Sequence, residues 1–437
     1  MSPSFADLGV PNDLVALLAR RSITEPSAIQ AATIPDALAG HDVCGRAPTG
    51  SGKTLAFGLA LCINVEKGRR GRPRALVLAP TRELALQIAD EIEPLARKRD
   101  RRVLAVYGGA GYGPQRDMLR SGVDILVATP GRLEDLIQRG DCKLDEVQVV
   151  VLDEADRMAD MGFMPSVKRL LDATRSDRQT LLFSATLDGA IDGLVKQYQH
   201  KPRKHDVAAH IEQPPVHHRF LEVSREGRVA VLAGVIAQHG QAIVFCRTKH
   251  GADRLARQLH QSGVTAVPIH GNRSQSQRER ALDDFKRGRA QALVATDVAA
   301  RGIHVDAVPC VIHFDPPEDP KDFLHRSGRT GRAGEAGTVL TLVMRENAKA
   351  VKALQRELGL HMPFENEKTV SEHAAKHAPK GGPITSPRPS PTQPRTPRPN
   401  RAGGSAAAAK ASRERRRTHR GTSVAAPSGG RPRQRKR

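Results

Sequence analysis

The sequence predicts an α/β protein: two tandem domains, each built on a parallel sheet, followed by a disordered basic C-terminal tail. Three observations lead there. Short β-branched apolar runs alternate with helical stretches, the pattern of parallel strands joined by crossover helices. The alternation pauses once, at "HKPRKHDVAAHIEQPPVHH" (His200 to His218), where polar residues and the Pro214-Pro215 pair interrupt it. From residue 368 the chain turns to Pro, Ser, Gly, Ala and Arg without an aromatic residue, too little apolar surface to offset the entropy of ordering. The expected division is a first domain over 1–207, a linker over 208–217, a second domain over 218–367 and a tail over 368–437.

In the first domain the strand runs are "DVCGRA", "RALVLAP", "DILVAT", "VQVVVLDEA" and "TLLFSAT". The helical stretches between them include "GKTLAFGLALCINVE", "TRELALQIADEIEPLARK" and "PGRLEDLIQRG". The second domain repeats the alternation with "QAIVFC", "VTAVPIH", "QALVATD", "CVIHFD" and "GTVLTLVM", joined by helices such as "KHGADRLARQLHQSG" and "SQRERALDDFKRG". No repeat is visible at the level of residues.

The 437 residues carry 69 Lys and Arg against 47 Asp and Glu, a formal charge of +22. A polyanion is the expected partner, nucleic acid before an acidic membrane surface. In the tail, 18 Lys and Arg face only Glu372 and Glu414, a net +16. Five cysteines without a Cys-x-x-Cys pair argue against a zinc site or a disulfide framework and suit the cytoplasm. The start "MSPSFADLGV" has no signal pattern, and no run approaches the roughly 18 apolar residues of a membrane span. A soluble, cytoplasmic protein without a membrane association is expected.

Chemistry enters at "VVVLDEADRM", Val149 to Met158, where three acids in four positions repel one another and call for a cation. "APTGSGKT", Ala47 to Thr54, follows a strand and opens a helix, as a phosphate-binding loop does. Gly50 and Gly52 let backbone N–H groups approach phosphate oxygens without a Cβ in the way, Ser51 between them belongs to the same cofactor-binding loop, Lys53 offers charge to the β and γ phosphates, and the Thr54 hydroxyl can ligate Mg²⁺. Ala47 stands where the generic loop has Gly, and taken alone the stretch would also suit a Gly-rich strand-to-helix turn. An acid at a neighbouring strand end holds the same metal in such folds, which assigns Asp153; Glu154 is then placed to orient and deprotonate a water.

With "DEAD" at Asp153 to Asp156 beside "APTGSGKT", the chain resembles the DEAD-box ATP-dependent RNA helicases, bacterial type, of superfamily 2, over approximately Phe5 to Leu360. The resemblance implies two RecA-like domains, ATP with Mg²⁺ as cofactors, and RNA as partner. "SITEPSAIQ" resembles the adenine-reading motif, with Gln30 facing the base and Phe5 packing nearby, although Ser22 and Ile23 stand where the family has Gly-Phe. "PTRELA", "GG" and "TPGR" resemble RNA-contacting motifs, implying Thr81, Arg82, Gly109, Thr129 and Arg132. "SAT" resembles a coupling motif, with Ser184 and Thr186 hydroxyls expected on Asp156. In the second domain the resemblance implies coupling roles for Gln275, Arg278 and His325, motif organisation by Arg301, an RNA contact by Thr296, ribose binding by Asp297, and arginine fingers at Arg329 and Arg332 within "HRSGRTGR"; His304 replaces the family's Asp.

The implied enzyme is an RNA-stimulated ATPase that closes on ATP and RNA and separates strands locally. With 3% aromatic residues and no Trp, base stacking is a poor basis for binding, so contacts to phosphate and 2′-hydroxyl on single strands or short duplexes, with weak sequence preference, are expected. Ribosomal and RNA-decay proteins are compatible protein partners. Two other functions compete: an RNA annealer or ATP-gated clamp working mainly through the tail, and a DNA-translocating helicase.

Overall fold

The computed structural model describes residues 3–48, 50–187, 189–207, 216–300, 305, 308–331 and 336–366. The tail, most of the linker, Arg301, His304 and Arg332 lie outside the described residues. All described residues belong to one unit, Met1–Ala378.

Seven strands form the first sheet: β1 (Val43–Arg46), β2 (Ala75–Leu78), β3 (Val103–Val106), β4 (Ile125–Ala128), β5 (Val149–Asp153), β6 (Gln179–Ser184) and β7 (Arg203–Asp206). Seven more form the second: β8 (Val216–Glu222), β9 (Ala242–Phe245), β10 (Ala266–Ile269), β11 (Ala292–Ala295), β12 (Cys310–His313), β13 (Gly337–Val343) and β14 (Glu365–Asn366). Their spatial orders, β3-β4-β2-β5-β6-β1-β7 and β10-β11-β9-β12-β13-β8-β14, are one topology used twice. Every pairing within both sheets is parallel. This is the expected tandem α/β architecture.

Central strands are buried on both faces, so their sequences are continuous apolar runs. Along β5 the residues alternate between two cores: Val149 and Val151 join Phe57, Ile88 and Phe183 on one side of the sheet, while Val150 and Leu152 join Leu76, Leu126 and Met158 on the other. Asp153 ends this run still buried. Burial of the strand thus delivers a carboxylate to the end of the sheet without solvent around it.

Four strands escaped the sequence reading for a common reason. β3, β7, β8 and β14 lie at or near sheet edges, where burial on one or neither face erases the apolar run. The sequence of β7, "RKHD", is charged and largely exposed, a composition that blunts edge-to-edge association. β8 starts at Val216, two residues inside the expected linker, and pairs along its length with β13.

Phe183 fixes the middle of the first core: it is fully buried, its ring centroid lies 5.6 Å from that of Phe57, and a Cβ on Gly45 would approach within 2.8 Å of it. Phe183→Ala is expected to cost about 3–5 kcal/mol of stability, measurable as a lower denaturation midpoint of the first domain in urea.

Candidate nucleotide and RNA site

The phosphate loop leaves β1 and enters the helix Lys53–Asn64. Gly50 and Gly52 adopt φ values of 85° and 90°, the left-handed region that disfavours a side chain. Gly52 is also hemmed in, since a Cβ there would lie 2.4 Å from Gln30 Nε2. Lys53 is buried and its Nζ donates to the Ala47 carbonyl at 3.0 Å. Ala47 in turn donates its N–H to the Ser184 carbonyl, and its methyl lies in the hydrophobic core. The departure from Gly at this position is therefore accommodated by packing, with the backbone still serving the lysine.

The expected adenine motif grips the loop from outside. Ser27 Oγ donates to the Ser51 carbonyl at 2.7 Å, and Gln30 Nε2 donates to the Gly52 carbonyl at 3.0 Å. Gln30 Oε1 accepts from the Ser27 N–H, completing a capping box on the helix Ala28–Leu38. Gln30 is thus a buried cap and a brace for the phosphate loop at once. Phe5 is almost wholly buried in the same core cluster as Ile29 and Phe57.

At the end of β5 the three acids find different partners. Burial raises the Asp153 carboxyl to about 7; Lys53 opposes this, while Glu154 and Asp156 add to it. A dication beside such a group would restore its charge, and oxygen donors from Asp153 and Thr54 suit Mg²⁺. Glu154 is buried, has a left-handed backbone at φ 49°, and its Oε2 accepts from Arg157 Nη1 at 2.7 Å. Asp156 departs from expectation. Its carboxylate accepts from the backbone N–H groups of Arg157, Ala185 and Thr186, and Ser184 Oγ accepts from its own N–H. Peptide donors at the end of β6 are already aimed there, so they serve the acid where hydroxyl donors were anticipated.

The candidate RNA residues gather at the ends of adjacent strands β2, β4 and β3. Thr81 caps the helix Arg82–Lys98, its Oγ1 accepting from the Leu84 N–H, and Thr129 occupies the N-cap position of the helix Pro130–Gln138 without a side-chain cap bond. Gly109, at φ 81°, lies against Arg82, whose Nη1 would be 2.0 Å from a Cβ there. Arg132 is held within the protein: it donates to the Ala110 carbonyl and to Gln115 Oε1, and stacks over Tyr112 at 4.8 Å. It shapes the loop that carries Gly109. In the second sheet, Thr296 follows β11 and is buried.

Comparison with known proteins decides the relationship. The DEAD/DEAH box helicase profile matches residues 27–193, and the helicase conserved C-terminal domain profile matches residues 227–334. The Bacillus subtilis DEAD-box ATP-dependent RNA helicase CshA is 39% identical over 377 residues, spanning 85% of this chain and 76% of that protein. The chain belongs to the DEAD-box ATP-dependent RNA helicase family. A maize chloroplastic member, helicase 3B, is 42% identical over 84% of this chain, which spans about half of that longer protein (51%). Saccharomyces cerevisiae Dbp5 bound to RNA and ADP BeF3 is 27% identical with a TM-score of 0.73, over 85% of this chain and 98% of that one.

This DEAD-box chain also has contacts that its sequence did not disclose, because they join the two domains. Glu83, inside "PTRELA", meets Arg278 at 3.1 Å with both side chains buried. Burial lowers the Arg278 pKa, and Glu83 works against that shift. Arg157 Nη2 donates to the Ala300 carbonyl at 3.4 Å. Asp160 lies 3.2 Å from Lys321 and 3.6 Å from His325. Gln275 instead donates within its own helix, to Glu279. Asp297 accepts from Arg326 Nε at 2.6 Å and Nη2 at 2.7 Å, and these two residues line one small cavity with His325 and Arg329. Arg326 stands between His325 and Arg329, which the sequence singles out, yet had no role of its own; its spacing from Asp297 gave no sign of a pair.

Asp156→Asn replaces one acceptor oxygen by an NH₂ that faces backbone donors. The local loss should be about 1–3 kcal/mol, read as faster hydrogen exchange at the Ala185 and Thr186 amides than in the wild type.

Proposed function

We propose that the chain is an RNA-stimulated ATPase that hydrolyses ATP to ADP and phosphate when RNA draws its domains together, and that this closure locally unwinds or remodels RNA. The division of the site is the observation that carries the reading. Lys53, Asp153 and Glu154 stand on the first domain, Asp297 and Arg329 on the second, and Glu83 with Arg278 joins the two. Family membership and the RNA-bound yeast Dbp5 support the same substrates.

Gly50, Ser51, Gly52, Lys53 and Thr54 bind the phosphates, Gln30 and Phe5 serve the adenine end, and Asp297 the ribose. Glu154 orients the attacking water. Arg329, with Arg332 outside the described residues, balances charge developing on the transferred phosphoryl group; an arginine finger contributes about 10³ to 10⁵ in rate. Thr54 and Asp153 would hold Mg²⁺, which would supply charge neutralisation to the phosphates. Thr81, Arg82, Gly109, Thr129 and Thr296 engage the RNA backbone, with Arg132 holding their loop, so sequence preference is weak. Asp156, Ser184, Thr186, Gln275, Arg278 and His325 transmit closure. The cytoplasm is the working compartment, in keeping with five buried free thiols. Among the described residues no helix is long and apolar enough to cross a membrane.

Purified protein should hydrolyse ATP at least tenfold faster with single-stranded RNA than without it, in a coupled phosphate-release assay. Equal rates with and without RNA would remove the reading. Glu154→Gln should still bind ATP and RNA but lose turnover.

The tail's net +16 favours a second reading, a tethered polycation that anneals RNA. Removing residues 368–437 should raise the RNA concentration for half-maximal ATPase and leave the maximal rate within about twofold, by lowering effective local concentration. An annealer would accelerate strand pairing without ATP and lose that activity with the tail.

A further inference from the structure

We infer that Arg157 is a positioning residue that makes the orientation of Glu154 conditional on domain closure. The inference rests on the reading of Glu154 given above. Arg157 directly follows the motif at residues 153–156 and is 7% exposed. One branch of its guanidinium, Nη1, donates to Glu154 Oε2 at 2.7 Å in a pair whose side chains are 8% and 7% exposed. The other branch, Nη2, donates to the Ala300 carbonyl of the second domain, at the last residue of the helix Asp297–Ala300. A single rigid plane therefore touches the carboxylate and a carbonyl 143 positions away in sequence.

The geometry gives Arg157 a task that a lysine could fulfil only in part. Guanidinium presents its N–H donors in a fixed fork, so fixing one branch aims the other. With the domains apart, the Ala300 acceptor is withdrawn and the fork keeps its bond to Glu154. With the domains together, both branches are engaged and the carboxylate is held on a defined side of the strand end. The backbone adds to this: Glu154 sits at φ 49°, a conformation that a non-glycine residue adopts at a cost and that recurs where function dictates side-chain direction. A simple helix-stabilising pair between residues three apart would require neither burial nor the reach to Ala300.

The test uses the full chain and steady-state ATPase at saturating RNA. Arg157→Gln should lower kcat about 10- to 100-fold, the usual range for loss of an orienting partner, while the KM for ATP changes less than about threefold. Arg157→Lys keeps one cation beside Glu154 but gives up the second branch. It should recover most of kcat and retain a raised RNA concentration for half-maximal rate. Thermal melting of each variant is followed in parallel, and Arg157→Lys carries the test if Arg157→Gln fails to fold. A folded Arg157→Lys matching the wild type in both kcat and RNA half-saturation overturns the inference, as does Arg157→Gln within twofold of wild-type kcat. Glu154→Gln alongside separates the two claims: normal turnover there overturns the assignment of the base, whereas a dead Glu154→Gln beside an unimpaired Arg157→Gln overturns only the role of Arg157.

Discussion

Repulsion among three carboxylates at the end of one buried strand shapes the surroundings of the site. Two unit charges 4 Å apart interact by about 4 kcal/mol at an effective dielectric of 20, too much to leave unbalanced in a domain of ordinary stability. Each acid is balanced from a different direction. Asp153 has Lys53 nearby, although burial still raises it to about 7. Glu154 shares a buried pair with Arg157. Asp156 accepts three backbone N–H groups, from Arg157, Ala185 and Thr186. The balancing groups belong to the phosphate loop, to a helix that reaches the second domain, and to the end of β6, so the repulsion is converted into connections between the parts that must act together.

The two sheets share one strand order, yet the chemistry is distributed unequally on them. Similar caps recur at equivalent places: Thr81 after β2 accepts from Leu84, and Thr248 after β9 accepts from Gly251. A strand-to-helix junction in a parallel sheet leaves N–H groups needing acceptors whichever copy it belongs to. The phosphate loop after β1 has no such counterpart. After β8 the chain enters the helix Arg228–His239, whose Arg228 is bound to the Phe314 carbonyl and Asp315. One copy carries the loop of Gly50, Gly52 and Lys53 at the end of its sheet; the other presents Asp297 with Arg326 and, beyond them, Arg329.

Strands buried on both faces were legible because burial writes continuous apolar runs, as in "VVVLD" and "AIVF". The edge strand "RKHD" was not, since it is largely exposed and nothing packs on it strongly enough to select residue type. The phosphate loop was legible for a different reason: its glycines and lysine are demanded by local backbone geometry, and local geometry leaves local patterns. Glu83, Arg157 and Asp160 were in plain view but unassigned, because their partners Arg278, Ala300, Lys321 and His325 lie in the other domain. Two residues carried more than the sequence suggested. Gln30 braces the phosphate loop, and Arg132 is occupied with its own loop; each uses hydrogen bonds to backbone carbonyls, which leave no trace in side-chain composition.

The contacts across the domains are suited to fixing their register more than to holding them shut. Asp160 with Lys321 and His325 is partly solvent-exposed, and such pairs contribute about 0–1 kcal/mol each. Glu83 with Arg278 is buried on both sides, and there desolvation offsets much of the attraction. Closure therefore needs ligands that prefer the closed arrangement. Moving a two-state equilibrium from 1:99 to 99:1 takes about 5.5 kcal/mol of differential affinity. Under the proposed function, a nucleotide reaching from Lys53 to Arg329 and a strand reaching from Thr81 to Thr296 would each gain contacts only when the domains meet, so each could supply part of that difference. Because both draw on the same closure, binding of one strengthens binding of the other by an equal free energy. On the same proposal, hydrolysis would remove the contribution that depended on the γ phosphate, and the weak pairs that remain would be too small to keep the strand engaged.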